Sequence, residues 1–184
     1  MKFFISSFII LLSICLNTHA EESFLENAAG VAIYNADETE EPTNQDKISR
    51  WQSRAQEVLV SALSLTGIQY KYGGKSPETG FDCSGFVRYV FSQATNLTLP
   101  PTARAIAQIG KTVKKQELQP GDLVFFNTMK SAFSHVGIYM GDNKFIHAPS
   151  SGKTVRVENM NNGYWASRFN GAQRLDKEIE KTTE

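Results

Sequence analysis

The chain reads as an α+β protein with its helices first and its strands after. Three observations carry this. Apolar residues recur at helical spacing up to about Gly110, the period changes to two beyond Pro120-Gly121, and Gly-containing turns separate the later segments. Helices that precede a run of short strands pack on one antiparallel sheet. The 184 residues suffice for one compact domain with a sizeable core.

Lys2 precedes an apolar run from Phe3 to Leu16, and Thr18-His19-Ala20 offers small residues where a signal peptidase reads. Residues 1–20 are therefore expected to be a secretory signal peptide, too short for a membrane anchor. Cleavage after Ala20 removes Cys15 and leaves Cys83 without an intramolecular partner. An unpaired cysteine in an exported protein reads as a reactive thiol. No stable membrane insertion is expected unless Cys15 is lipidated, and Ile14 is too large for the residue before a lipidated cysteine. Residues 21–46 hold eight acidic and no basic side chains and read as a disordered leader. The domain is expected over 47–176, with 177–184 as a charged tail. The net charge of zero conceals a basic body. From Lys47 to Leu175 sixteen Lys and Arg face seven Asp and Glu, a balance of +9. Such a body suits an anionic polymer, and export favours cell-wall or membrane-surface anions over nucleic acid.

A first helix is expected over Ser49–Thr66, where Trp51, Ala55, Val58, Leu59, Ala62 and Leu63 share a face and Gly67 stops it. A second should start at Cys83, with Asp82 as its cap and Phe86, Val87, Val90 and Phe91 as its apolar stripe, and end near Ala94. Thr102 caps a short third helix that closes at Gly110. Strands follow at Leu123–Phe126, Val136–Met140, Lys144–Ala148, Thr154–Val157 and around Ala172–Leu175.

One thiol followed by two imidazoles, His135 and His147, is the minimum set for a cysteine nucleophile, its base and an orienting group. At a helix start the thiol meets free N–H groups and the positive dipole end, which favour thiolate. The histidines share a sheet face only if their hairpin has odd parity. A three-residue loop, Gly141–Asn143, pairs Met140 with Lys144 and sets Gly137 opposite His147. A two-residue loop sets the rings on opposite faces. An open zinc site would use the same three side chains, but they lack short metal spacing.

Asp82-Cys83-Ser84-Gly85-Phe86, Ser134-His135-Val136-Gly137-Ile138-Tyr139 and Phe145-Ile146-His147-Ala148 resemble the motifs of the NlpC/P60 cysteine peptidases. So do Tyr70-Lys71-Tyr72-Gly73-Gly74, Leu99-Pro100-Pro101-Thr102 with Gln108, and Gly121 to Phe126. The resemblance spans roughly Ala55 to Leu175. It implies a papain-like fold and hydrolysis of amide bonds in peptidoglycan stem peptides, of DL-endopeptidase type, in the periplasm or at the cell wall, with no metal and no cofactor. It makes Cys83 the nucleophile, His135 the base and later the acid, His147 the group that fixes the tautomer of His135, and Tyr70 an oxyanion donor beside the Cys83 N–H. Ser84, Asp82 and Arg104 are the candidates for substrate binding. Pro101 stands where many members carry an arginine, so Arg104 or Arg88 would have to hold a substrate carboxylate. The stretch from Tyr70 to Cys83 is about one residue longer than is usual in the family. The alternatives are an amidase acting at the sugar–peptide junction and a non-catalytic wall-binding module. The module would be expected to lack Cys83 or His135. A lipid acyltransferase of the same superfold would carry its histidines before the cysteine.

Overall fold

A cap that combines Thr43 and Asp46 starts the first helix earlier than the apolar periodicity indicates. In the computed structural model, which describes residues 43–128 and 131–175, α1 runs Asn44–Ser64. The Thr43 hydroxyl accepts the Asp46 N–H, and the Asp46 carboxylate accepts the Thr43 N–H, a reciprocal capping box. The last residues of the expected acidic leader are thus the first turn of a helix. The expected signal peptide, Cys15, the leader up to residue 42 and the tail lie outside the described residues. Ala55, Val58 and Ala62 are buried as their spacing predicts, whereas Leu63, placed on the same face, is exposed.

A two-stranded ribbon, β1 (Lys75–Ser76) and β2 (Gly80–Phe81), leads into α2 (Cys83–Thr95). Asn96 ends α2 in the left-handed region. The short α3 (Ala103–Ile106) is capped by Thr102, whose hydroxyl accepts the Ala105 N–H.

The remaining strands form one antiparallel sheet. They are β3 (Lys111–Thr112), β4 (Leu123–Phe126), β5 (His135–Gly141), β6 (Lys144–His147), β7 (Arg156–Asn159) and, after the single turn α4 (Gly163–Ala166), β8 (Phe169–Arg174). Their spatial order is β3-β8-β4-β5-β6-β7. The strand expected at Thr154–Val157 is displaced to Arg156–Asn159. Residues 153–155 pair instead with the segment after α1, through Gly67 N–H to Val155 O, Val155 N–H to Ile68 O and Tyr70 N–H to Lys153 O. Those bonds take the backbone groups that an earlier β7 would have used.

Both faces of the sheet are covered. Leu123, Phe125, Val136, Ile138 and Ile146 meet Val58, Phe86, Val87, Val90 and Ile106 in the larger core. Val124, Phe126, Tyr139, Phe145 and Ala172 meet Val113, Met160 and Trp165 in a smaller one. The alternation along β4 divides its four buried residues between the two cores. Among the described residues no helix is long and apolar enough to cross a membrane.

Candidate active site

The thiol stands on a helix start that three backbone contacts hold in place. Asp82 Oδ1 accepts the Gly85 N–H at 2.7 Å, Asp82 Oδ2 accepts the Gly73 N–H at 3.0 Å, and the Asp82 N–H donates to Gly74 O. One carboxylate therefore ties the first turn of α2 to the loop that follows Tyr70. Gly85 permits the approach, since a Cβ there would lie 2.1 Å from Gly74 O. Tyr70 lines the same cleft as Cys83. Burial, and then the neighbouring Cys83 and Asp82, raise its phenol pKa above the usual value.

His135 opens β5 and His147 closes β6. Their common face has an origin different from the expected one. Gly141 pairs with Lys144, which leaves the two-residue turn Asp142-Asn143, both with positive φ. A bulge between Tyr139 and Gly141 supplies the odd residue, so Ile138 still faces Ile146. The bulge, rather than a longer loop, sets the parity that places both rings together. His135 Nε2 lies 2.7 Å from His147 Nδ1. A Cβ on Gly137 would meet Phe145 Cδ2 at 2.7 Å and His147 Cβ at 3.2 Å, so glycine there leaves room for the second imidazole.

Trp165 carries both rings. It stacks on His135 at 5.5 Å between centroids and meets His147 edge-on at 4.9 Å. Beyond His147, Glu158 Oε1 lies 3.6 Å from Nε2. The Glu158 carboxylate also accepts the Trp165 indole N–H and the Arg156 Nε–H. Glu158 sits opposite Phe145 in the β6–β7 register while His147 sits opposite Arg156. It therefore reaches His147 diagonally, as long side chains can.

Cys83, His135 and Tyr70 line one cleft of about 350 Å³ with Ser134, Ser150, Lys153, Arg156, Glu158, Tyr164 and Trp165. Burial dominates its electrostatics. The Cys83 thiol is pushed up to about 11, first by burial and then by the Asp82 charge, against the backbone N–H groups of Val136, Ser84 and Cys83 that favour thiolate. The helix-start effect expected from the sequence is present but loses to desolvation. Burial, and then the neighbouring His147, hold His135 down at about 3, and burial lowers His147 as well. The resting pair is a neutral thiol and a neutral imidazole.

Three expected substrate-binding side chains have other work. The Ser84 hydroxyl donates to Pro101 O and Asp82 Oδ1. The Asp82 carboxylate caps α2. Arg104 donates to Ser131 Oγ and Ala132 O, and Arg88 Nε donates to Leu99 O at 3.0 Å. None of the four lines the cleft. Glu158 and Trp165 are the site residues that the sequence reading missed. The strand expected at Thr154–Val157 stops one residue short of Glu158, and Trp165 lies in no element expected from the sequence. The one available signal was the alternation of apolar and polar residues from Val155 to Glu158, on the strand after His147.

A thiol at a helix start and an imidazole at the start of a neighbouring strand, both open to one cleft, are what nucleophile–base chemistry requires. The NlpC/P60 family profile matches residues 67–174, and the chain belongs to that family. It is 42% identical over 120 residues to the gamma-DL-glutamyl hydrolase of Bacillus subtilis, covering 65% of this chain and 29% of that one. It is 41% identical over 118 residues to the murein DD-endopeptidase MepS/murein LD-carboxypeptidase of Escherichia coli, covering 64% and 61%. This chain thus spans less than two thirds of the length of either relative. Among solved structures it resembles the NlpC/p60 domain of the peptidoglycan hydrolase SagA, with 30% identity, a TM-score of 0.59, and 66% and 98% of the two chains covered. A NlpC/P60 family protein from Bacillus cereus aligns with a TM-score of 0.61 at 31% identity, covering 65% and 39%.

Proposed function

We propose that this protein is a thiol-dependent peptidoglycan hydrolase that cleaves amide bonds in stem peptides, of DL-endopeptidase type. The observation that carries the reading is the pairing at 2.7 Å of His135 Nε2 with His147 Nδ1. It leaves His135 Nδ1 as the nitrogen available to Cys83 across a shared cleft. Relatives named as murein and glutamyl hydrolases support the substrate class.

As the Cys83 sulfur attacks the carbonyl carbon, its proton passes to His135 Nδ1 and a C–S bond forms. The oxyanion is met by the Cys83 N–H and the Tyr70 hydroxyl. A donor aimed at that charge contributes about 3 kcal/mol. Collapse breaks the C–N bond, and His135 gives its proton to the leaving amine. Water then cleaves the thioester, with His135 taking one of its protons and returning it to the sulfur. A neutral resting pair means that the thiolate forms within the attack rather than before it. The substrate lies outside the cytoplasm, so the reading requires export, which the expected signal peptide at 1–20 provides.

The test is digestion of purified peptidoglycan with identification of released muropeptides by mass. Cys83→Ala and His135→Ala are each expected to lower turnover on the order of 10³-fold or more per folded molecule, with melting temperature nearly unchanged in Cys83→Ala and lowered in His135→Ala, which empties a buried site. Retained hydrolysis in folded Cys83→Ala overturns the mechanism.

A further inference from the structure

The two imidazoles do not end the row of polar groups behind the cleft that Cys83 and His135 line. We propose that Glu158 is a positioning residue that acts through His147 to fix the tautomer of His135, leaving His135 Nδ1 free to take the Cys83 proton. The proposal rests on the thiol mechanism above and extends it by one group.

His147 is fully buried, and its Nε2 makes no hydrogen bond. Glu158 Oε1 is 3.6 Å away, too far for a formed hydrogen bond but close enough for a strong charge effect. A carboxylate only accepts. A bare lone pair on His147 Nε2 would face that negative charge, so the proton belongs on Nε2. Neutral imidazole holds one N–H, so His147 Nδ1 is then an acceptor. The 2.7 Å contact therefore needs a proton on His135 Nε2. His135 Nδ1 is left as a lone pair, the one form able to receive the thiol proton.

Glu158 is fixed for this task from three sides. His147 faces it from β6, Arg156 from its own strand, and the Trp165 indole N–H from α4. Lys153, in the turn before β7, adds its charge at His147. His147 first, and then the hydrogen bonds from Trp165 and Arg156, hold the Glu158 carboxyl down at about 2 against the effect of burial, so it stays ionised across the working range. Because Trp165 stacks on His135 as well, the indole held by the carboxylate also sets the plane of the base.

Glu158→Gln keeps the shape and removes the charge. Its single carbonyl oxygen cannot serve Trp165, Arg156 and His147 together. An amide N–H turned toward His147 drives the proton to Nδ1 and reverses the relay. In the full-length chain, turnover on purified peptidoglycan is expected to fall ten- to a hundredfold, the range that outer partners of metal-bound imidazoles carry, with KM nearly unchanged. Alkylation of Cys83 by iodoacetamide at neutral pH should slow as well. Nitrogen NMR of the imidazoles should show His147 protonated on Nε2 in the wild type and on Nδ1, wholly or in part, in the variant. A wild-type His147 carrying its proton on Nδ1 overturns the proposal even if the variant fails to fold. So does a folded Glu158→Gln with wild-type turnover and alkylation rate. A wild type that alkylates normally but releases no muropeptide instead overturns the proposed function, and the tautomer measurement still decides the role of Glu158.

Discussion

The two faces of the central sheet solve different problems with similar materials. On one face, Val58, Phe86, Val90 and their neighbours are apolar throughout and seat α2. On the other, Phe126, Phe145 and Trp165 form a core of the same buried, aromatic kind, yet two histidines are embedded in it and a carboxylate closes it. The first face positions Cys83, the proposed nucleophile, by holding a helix. The second positions His135, the proposed base, by enclosing polar rings in apolar ones. The lesson lies in cost. A core of Phe and Leu needs only volume, whereas a buried imidazole must have its hydrogen bonds assigned. The second face therefore carries the tighter constraint on sequence in a smaller space.

Two glycines allow the faces to be perturbed separately. In Gly85→Ala the new Cβ meets a backbone oxygen of Gly74 at 2.1 Å. The 73–74 loop would have to leave the helix start and take the Gly73–Asp82 bond with it. A loss of about 3 kcal/mol or more is expected in denaturant unfolding. In Gly137→Ala the closest atom is the ring carbon of Phe145 at 2.7 Å, with Ile146 O at 3.0 Å and His147 Cβ at 3.2 Å. The ring can tilt, so the expected loss is smaller, about 1 to 2 kcal/mol. The same shift displaces His147 from His135. Turnover per folded molecule should therefore fall further in Gly137→Ala than its stability indicates. Equal stability losses with unchanged turnover in Gly137→Ala would erase the distinction between the faces.

The sequence revealed the first face more fully than the second. Helical spacing located α2 and Asp82 was recognisable as its cap, because both are local rules. Parity between the histidines was also legible, but its cause was not. Gly141-Asp142-Asn143 is compatible with either a three-residue loop or a two-residue turn, and only the pairing of Gly141 with Lys144 reveals the bulge. The start of α1 was hidden because Asp46 belongs both to an acidic run and to a capping box. Glu158 and Trp165 were hidden because a diagonal contact between strands leaves no short spacing in sequence. The thiol's elevated pKa was misjudged for a related reason. The helix terminus is visible in sequence, while desolvation depends on everything packed around it.

Acid should destabilise the second face selectively. Burial lowers both histidines below their ordinary 6.5, His135 to about 3. In the unfolded chain both take a proton near pH 6.5, whereas the native state resists. The unfolded state then binds more protons, so stability is lost as pH falls from about 6.5 toward 3. The slope is up to about 1.4 kcal/mol per pH unit for each histidine. Unfolding free energies between about pH 7 and pH 5 should show it, and the double variant His135→Gln, His147→Asn should flatten it whatever its absolute stability. An unchanged slope would mean that other groups dominate the acid response.

The smallest expected effect separates acceptor from relay at position 147. His135 Nε2 needs an acceptor, and the amide oxygen of asparagine can supply one where alanine cannot. His147→Asn should therefore keep turnover that His147→Ala loses, by a factor on the order of ten, the worth of one hydrogen bond at about 1 to 1.5 kcal/mol. Neither variant can transmit the Glu158 charge through an imidazole, so both should fall below the wild type. If His147→Asn matches the wild type, the base needs only an acceptor, and the carboxylate behind it stabilises the fold rather than the chemistry. If His147→Asn is no better than His147→Ala, the contribution of His147 lies in the charge it passes on from Glu158. Full activity in His147→Ala would remove the second imidazole from the mechanism and leave Trp165 as the group that orients His135.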